Sequence, residues 1–171
     1  MKILAICGSL QKQSTNLTLL EIAQRSAPES VQIVLYEGLR DLPHFDPDIE
    51  QEGEPPAKVV ELRAAVASSA ALLIACPEYG HSLPGALKNA IDWLIGSGEL
   101  ERKIVGVTAA TVAPYRGRMG LAALCGTLGA VSAQVVGGEP IAKGADFERE
   151  VAALCAALVA KVREQGGTPL A

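Results

Sequence analysis

The chain has 171 residues, of which 49% are hydrophobic and 4% aromatic, and its formal net charge at pH 7 is −4. This composition predicts a single domain over residues 1–171, and the absence of a basic cluster argues against nucleic acid as a partner. The first apolar run stops too soon for a signal peptide, and no stretch is long enough to span a membrane. Four widely spaced cysteines favour a reduced, cytoplasmic protein, and two isolated histidines argue against a metal site.

Apolar runs alternate with helical patterns along the chain. The patterns predict, in order, a strand over residues 2–7, a helix over 17–26, a strand over 31–36, a proline-rich acidic surface loop over 39–56, a helix over 57–69, a strand over 71–76, a helix over 83–95, a strand over 103–109, a helix over 120–128, a strand over 130–136 and a helix over 147–164. Such alternation is typical of βαβ units, so we expect an α/β fold with a five-stranded parallel sheet and helices on both faces. The second strand contains Gln32 and is expected near an edge.

Ligands of parallel sheets bind outside the carboxyl ends of the strands, where the chain reverses its winding. That rule points to three loops, which we name loop one (residues 8–16), loop two (residues 77–85) and loop three (residues 110–119). All three are rich in Gly, Ser, Pro or Thr. We therefore expect any binding site to be formed by these loops together.

Loop one lies within CGSLQKQSTN and has the outline of a phosphate site. Ser9, Ser14, Thr15 and Asn16 offer hydroxyl and amide groups, and the next helix points its free N–H groups back at the loop. The chain has neither GxxxxGK[ST] nor GxGxxG here, so a nucleoside triphosphate cradle and a dinucleotide fingerprint are both excluded. A single phosphate on a smaller cofactor fits better. A capped, serine-rich loop without a ligand is the alternative.

Loop two lies within CPEYGHSLPGALKNAIDWL and is more specific. Pro77 and Pro84 stiffen it, and Gly80 lets the backbone approach a ligand closely. A stiff loop with exposed backbone amides suits the edge of a flat heterocycle. The pattern therefore favours a ring-shaped ligand beside loop two.

The segments GSLQKQSTN and PEYGHSLPGALKNAIDWL together resemble the NADPH-dependent FMN reductases. This group has a flavodoxin-like fold, with strand order 2-1-3-4-5, and includes quinone, azo-dye and chromate reductases. The resemblance implies an enzyme that moves hydride from NADPH to flavin N5 and then, by a ping-pong scheme, to free flavin, quinone or a similar small-molecule acceptor. The flavin carries the chemistry, so no catalytic side chain is expected. A non-enzymatic, flavodoxin-type electron carrier is the alternative.

The resemblance also implies which residues contact FMN. Loop one is expected to bind the phosphate, loop two the flavin, and loop three the dimethylbenzene and ribityl side. The implied cofactor-binding residues are Ser9, Gln11, Ser14, Thr15, Asn16, Pro77, Glu78, Tyr79, Gly80, His81, Ser82, Thr111, Arg116 and Gly117.

Two positions depart from the family pattern. Gln11 stands where the family usually has Arg. The neighbouring Lys12 carries a compact ammonium charge and lacks the bidentate donors of an arginine, so weaker FMN retention is expected. Gly80 stands where the family usually has Asn, which leaves only a backbone N–H for the flavin. In loop three, either Arg116 or Arg118 attracts the 2′-phosphate of NADPH, or both are solvated surface charges.

Self-association is a further expectation. The helix predicted over residues 83–95 is apolar on more than one side, which is more than one sheet face requires. The resemblance implies a homodimer or homotetramer with FMN near the interface.

Overall fold

The computed structural model describes residues 1–51 and 53–166. The elements are β1 (Lys2–Cys7), α1 (Thr15–Arg25), β2 (Gln32–Leu35), a 3-10 helix (Gly38–Asp41), α2 (Pro47–Gln51), α3 (Ala57–Ala67), β3 (Ala71–Ala75), α4 (Gly85–Ile95), β4 (Ile104–Thr111), α5 (Arg118–Ala130), β5 (Gln134–Ala142) and α6 (Phe147–Gly166). The strands form one parallel sheet in the order β2-β1-β3-β4-β5. The expected flavodoxin-like order is confirmed, with β2 at an edge. Across the described ranges, no helix is both long and apolar enough to cross a membrane.

The sheet is covered on both faces, as the continuous apolar strands predict. Leu4 and Ile6 of β1 pack in a cluster with α3, α4 and α5, whereas Ile3 and Ala5 pack with α1 and α6. Every residue of β3 is buried. The central strands are therefore fixed from both sides, and their carboxyl ends are held in place.

The fifth strand is present, but its predicted bounds, residues 130–136, were wrong: β5 begins at Gln134 and extends to Ala142, and residues 131–133 only connect it to α5. Gly137 and Gly138 have φ angles of +84° and +101°, and the pairing with β4 shifts register between Val107 and Ala109. Two consecutive glycines are typical of a strand end, but here they form a bulge. The bulge lets β5 continue beside the end of β4, where loop three begins.

The prediction of a surface loop over residues 39–56 was also wrong at its start. Residues 38–51, here called the strap, contain the 3-10 helix and α2, and Leu39 and Leu42 are buried. The Pro43 carbonyl accepts hydrogen bonds from Asn89 Nδ2 and Trp93 Nε1, both at 2.9 Å. The strap is therefore bound to α4 rather than free in solvent.

The strap accounts for the apolar character of α4. Trp93 is fully buried, and the ring of Phe45 packs edge-on against it with centroids 5.1 Å apart. Arg63 joins the same region, since it donates to Glu50 and to the Trp93 carbonyl. The chain itself thus covers the extra apolar side of α4, and self-association stays a prediction.

The bulge predicts a large difference between two Gly→Ala substitutions. A Cβ at Gly137 would lie 2.8 Å from the Val107 carbonyl oxygen in a left-handed conformation, so Gly137→Ala should lower the free energy of unfolding by at least about 1 kcal/mol. Gly126→Ala, in an open position of α5, should raise it by roughly 0.5–1 kcal/mol. Urea denaturation measures both. Equal stability of Gly137→Ala and the wild type would contradict the bulge.

Candidate functional site

A cleft of about 590 Å³ opens at the carboxyl ends of β3 and β4, and its volume is in the range of small-molecule sites. One wall comes from loop two and the other from the end of β4 and loop three. The lining residues are Pro77, Glu78, His81, Ala109, Ala110, Thr111, Val112, Tyr115, Arg116, Gly117 and Met119. The parallel pairing of the strands thus brings loops two and three to one space.

The middle of loop two is a tight turn. Tyr79 and Ser82 exchange both backbone hydrogen bonds, at 3.0 and 3.1 Å, around Gly80 and His81. The φ angles of Gly80 and His81 are +58° and +60°, the left-handed region that Gly and Asn adopt most readily. Gly80 therefore preserves the backbone at a position where the resemblance predicts Asn.

Glu78 connects the two walls of the cleft. Its Oε2 accepts backbone hydrogen bonds from Met119 at 3.0 Å and from Gly120 at 3.2 Å, at the start of α5. The hydrogen bond from Gly120 is the main reason that the pKa of Glu78 is lowered, against the opposing effect of desolvation. His81 Nδ1 lies 3.2 Å from the other carboxylate oxygen. The negative charge of Glu78 is thus directed at the amino end of a helix, where it is stabilised.

Gly120 makes this close contact possible, and the sequence analysis missed it. A Cβ on Gly120 would lie 2.9 Å from Glu78 Cα and 3.1 Å from the Ser82 carbonyl oxygen. The one signal in the sequence is a glycine near the start of a helix, a costly position that calls for a packing reason. The exposed apolar residues Val112 and Met119 also line the cleft and were not predicted from the sequence.

Loop one is tied to the other two loops by side-chain contacts. Ser14 caps α1 by accepting a hydrogen bond from Asn16 N at 3.2 Å. Asn16 is 5% exposed, and its Oδ1 accepts a hydrogen bond from Ala110 N at 2.9 Å. Ser9 Oγ lies 3.2 Å from the Tyr79 hydroxyl. Loop one is therefore connected to both of the loops that line the cleft.

Residues 1–146 of the chain match the family described as NADPH-dependent FMN reductase. The chain belongs to this family. It is 36% identical to a quinone reductase of Escherichia coli over 94 residues, 55% of this chain and 50% of that protein. It is 38% identical to an NAD(P)H-dependent FMN reductase of Pseudomonas aeruginosa over 122 residues, 71% of this chain and 64% of that protein. The match thus spans about half to two thirds of the length of these relatives.

The fold is shared with solved structures. The flavoenzyme NAD(P)H:(acceptor) oxidoreductase FerB from Paracoccus denitrificans superimposes with a TM-score of 0.83 at 24% identity, covering 95% of this chain and 97% of that one. The flavodoxin-like fold and the resemblance to the FMN reductases are thereby confirmed. The cofactors that the sequence predicts, FMN and NADPH, are those of the family. The roles of individual residues stay predictions.

The structure places the predicted residues in four groups. Pro77, Glu78, His81, Thr111, Arg116 and Gly117 line the cleft. Tyr79, Gly80 and Ser82 form the turn beside it, and Ser14, Thr15 and Asn16 begin α1. Gln11 instead lines a second cavity, of about 330 Å³, which it shares with Ser9, Lys12 and Arg40.

The two arginines of loop three differ in their surroundings. Arg116 lines the cleft. Arg118 turns towards β5, since its Nη2 lies 3.4 Å from Glu139 Oε2 and its Nε donates to the Pro114 carbonyl. Of the pair, Arg116 is the one that lines the cleft.

The contacts of Glu78 predict a pH-dependent stability difference between the wild type and Glu78→Gln. A carboxyl whose pKa falls on folding stabilises the folded state above its unfolded-state pKa, and the effect disappears as the pH falls through the folded-state pKa. We expect Glu78→Gln to be less stable than the wild type near neutral pH. The gap should close on acidification, as measured by urea denaturation across that pH range.

Glu29→Gln is the matched control, because Glu29 is exposed and far from the cleft in sequence. Its free energy of unfolding should stay within about 0.5 kcal/mol of the wild-type value. A gap for Glu78→Gln that is constant with pH would contradict the role of the charge.

Proposed function

We propose that the chain is an NADPH-dependent, FMN-containing oxidoreductase that acts on free flavin, quinone or a similar small-molecule acceptor by a ping-pong scheme. The observation that carries the proposal is the open cleft formed by loops two and three in a member of the FMN reductase family. The cleft is one slot, and we infer that NADPH and the acceptor occupy it in turn. FMN, when bound, would supply the redox chemistry that links oxidation of NADPH to reduction of the acceptor.

The residues present fit FMN. Loop one and the amino end of α1, an eleven-residue helix capped by Ser14, offer N–H and hydroxyl donors for the phosphate. Ser9, Thr15 and Asn16 belong to the same group in this proposal. The turn at residues 79–82 presents a rigid backbone edge to the ring system, and the cleft has room for it.

The protein contributes position and environment rather than an acid or a base. The backbone N–H of Gly80 is held in place by the turn, so it can donate a hydrogen bond that stabilises negative charge developing beside it. Val112, Tyr115 and Met119, which are 75%, 72% and 55% exposed, give the mouth of the cleft apolar surface for flat substrates. Closing that surface over a ring displaces water from the slot.

We further propose that residues 1–171 act as one flavodoxin-like domain in the cytoplasm, as a homodimer or homotetramer. The last five residues, 167–171, lie outside the described part of the chain. All four cysteines are free thiols, which supports a reducing compartment.

The first test is a spectrum followed by an oxidation assay. Titration with FMN should change flavin absorbance and fluorescence and raise the melting temperature, because a ligand of the folded state stabilises it. NADPH should then be oxidised steadily when a quinone or free flavin is added, with parallel double-reciprocal plots. FMN binding without NADPH oxidation would indicate the electron carrier instead. A protein that leaves all three signals unmoved would contradict the proposal.

The second test concerns the 2′-phosphate of NADPH. Arg116→Ala should raise the KM for NADPH about tenfold while leaving the KM for NADH nearly unchanged, because a charge-assisted contact to the phosphate is lost. Arg118→Ala removes the same charge from a side chain that faces Glu139, and serves as the matched control. Identical NADPH-to-NADH ratios in the two variants would contradict a role of Arg116.

A further inference from the structure

Loop one carries little positive charge of its own for the group it is proposed to hold. A phosphate monoester has a charge of about −1.5 to −2 at pH 7. Within residues 8–16 the only cationic side chain is Lys12, and position 11 is Gln. A lysine is a compact point charge and lacks the bidentate fork of arginine. A second cation beside loop one would therefore help to balance the charge of the phosphate.

Arg40 reaches loop one from the strap. It lies in the 3-10 helix Gly38–Asp41. Its Nη2 donates a hydrogen bond to the carbonyl of Leu10, which is 30 residues earlier in the chain. Its side chain lines the 330 Å³ cavity together with Ser9, Gln11 and Lys12. The guanidinium is therefore held against the loop, next to the position where the resemblance predicts an arginine.

Arg40 has no ion-pair partner in the described part of the chain. Among residues 1–51 and 53–166, neither Arg40 nor Lys12 forms an ion pair. Glu21 and Glu37 line the same cavity, and neither forms an ion pair with Lys12 or Arg40. A guanidinium has five N–H donors, and the Leu10 carbonyl takes one of them. Donors and charge both remain for an anion.

The strap fixes where this charge sits. Leu39, next to Arg40, is 5% exposed and belongs to the core. Further along, the Pro43 carbonyl is held by Asn89 and Trp93 of α4. Arg40 therefore extends from an anchored segment, which limits the cost of ordering its side chain on binding.

We propose that Arg40 supplies the arginine charge of the FMN phosphate site in place of residue 11. This inference rests on the proposed function. It makes Arg40 a specificity-determining residue, which favours the phosphorylated flavin over riboflavin, because only the former carries the anion.

The experiment compares FMN with riboflavin, which has the same ring and no phosphate. Purified full-length wild type and Arg40→Ala are titrated with each flavin, and binding is followed by flavin fluorescence and calorimetry. Arg40→Ala should weaken FMN binding about 10-fold and leave riboflavin binding within about twofold of the wild type. The FMN difference should shrink as salt is raised, because the contact is partly exposed.

Three further variants separate charge from structure. Gln11→Arg in the Arg40→Ala background should restore most of the FMN affinity, and Arg40→Lys should retain part of it. Arg25→Ala removes one positive charge at the far end of α1 and should leave FMN binding unchanged. Melting temperatures of the ligand-free variants establish that each is folded.

The outcomes that overturn the inference are distinct. Equal weakening of FMN and riboflavin by Arg40→Ala would show that Arg40 only shapes loop one through Leu10. Unchanged FMN binding would show that it has no role. Failure of the wild type to bind either flavin would overturn the proposed function and this inference with it, whereas the first two results leave the proposed function standing.

Discussion

The alignment of β1, β3 and β4 at one edge of the sheet is the constraint on which the site depends. Cys7 pairs with Ala75, and Ala75 pairs with Thr108, so β1 and β3 end at the same level, and β4 continues beyond that level to Thr111. The backbone continues this alignment for one more step, since Gly8 N donates to the Ala75 carbonyl and Cys76 N to the Thr108 carbonyl. Three loops that leave one edge must share the space above it, so strand pairing creates the cleft before any side chain shapes it.

Contacts between the loops then make this space rigid. Glu78 accepts two backbone hydrogen bonds from α5, and Gly120 allows the approach because any Cβ would collide with loop two. Asn16 bonds the backbone of Ala110. These contacts lie between loops rather than towards the cleft, so they fix its walls in advance of a ligand. A site held in this way tolerates departures such as Gly80, since the turn depends on backbone conformation and not on an amide side chain.

Local signals explain which elements the sequence predicts well. The strands β1, β3 and β4 are short apolar runs between polar loops, and their two-sided burial follows from that pattern. The bounds of the fifth strand were predicted wrongly because Gly137 and Gly138 have the composition of a strand end and the geometry of a bulge. The strap was wrongly predicted as a surface loop because prolines and acids are typical of exposed loops. Its burial depends instead on Trp93, which is far away in sequence. Gly120 has only a weak local signal, a glycine near the start of a helix, and Arg40 has none, because their contacts are with partners 30 or more residues away.

The strap links the two motifs that carry the family resemblance. Asn89 and Trp93 belong to the helix that follows loop two, one turn apart on α4, and both bond the Pro43 carbonyl. Pro43 lies three residues beyond Arg40, whose guanidinium contacts loop one. The helix of one motif therefore anchors the segment whose arginine contacts the other. Because Arg40 lies on a separate, anchored element, the phosphate site that we propose keeps an arginine charge beside loop one although position 11 is Gln.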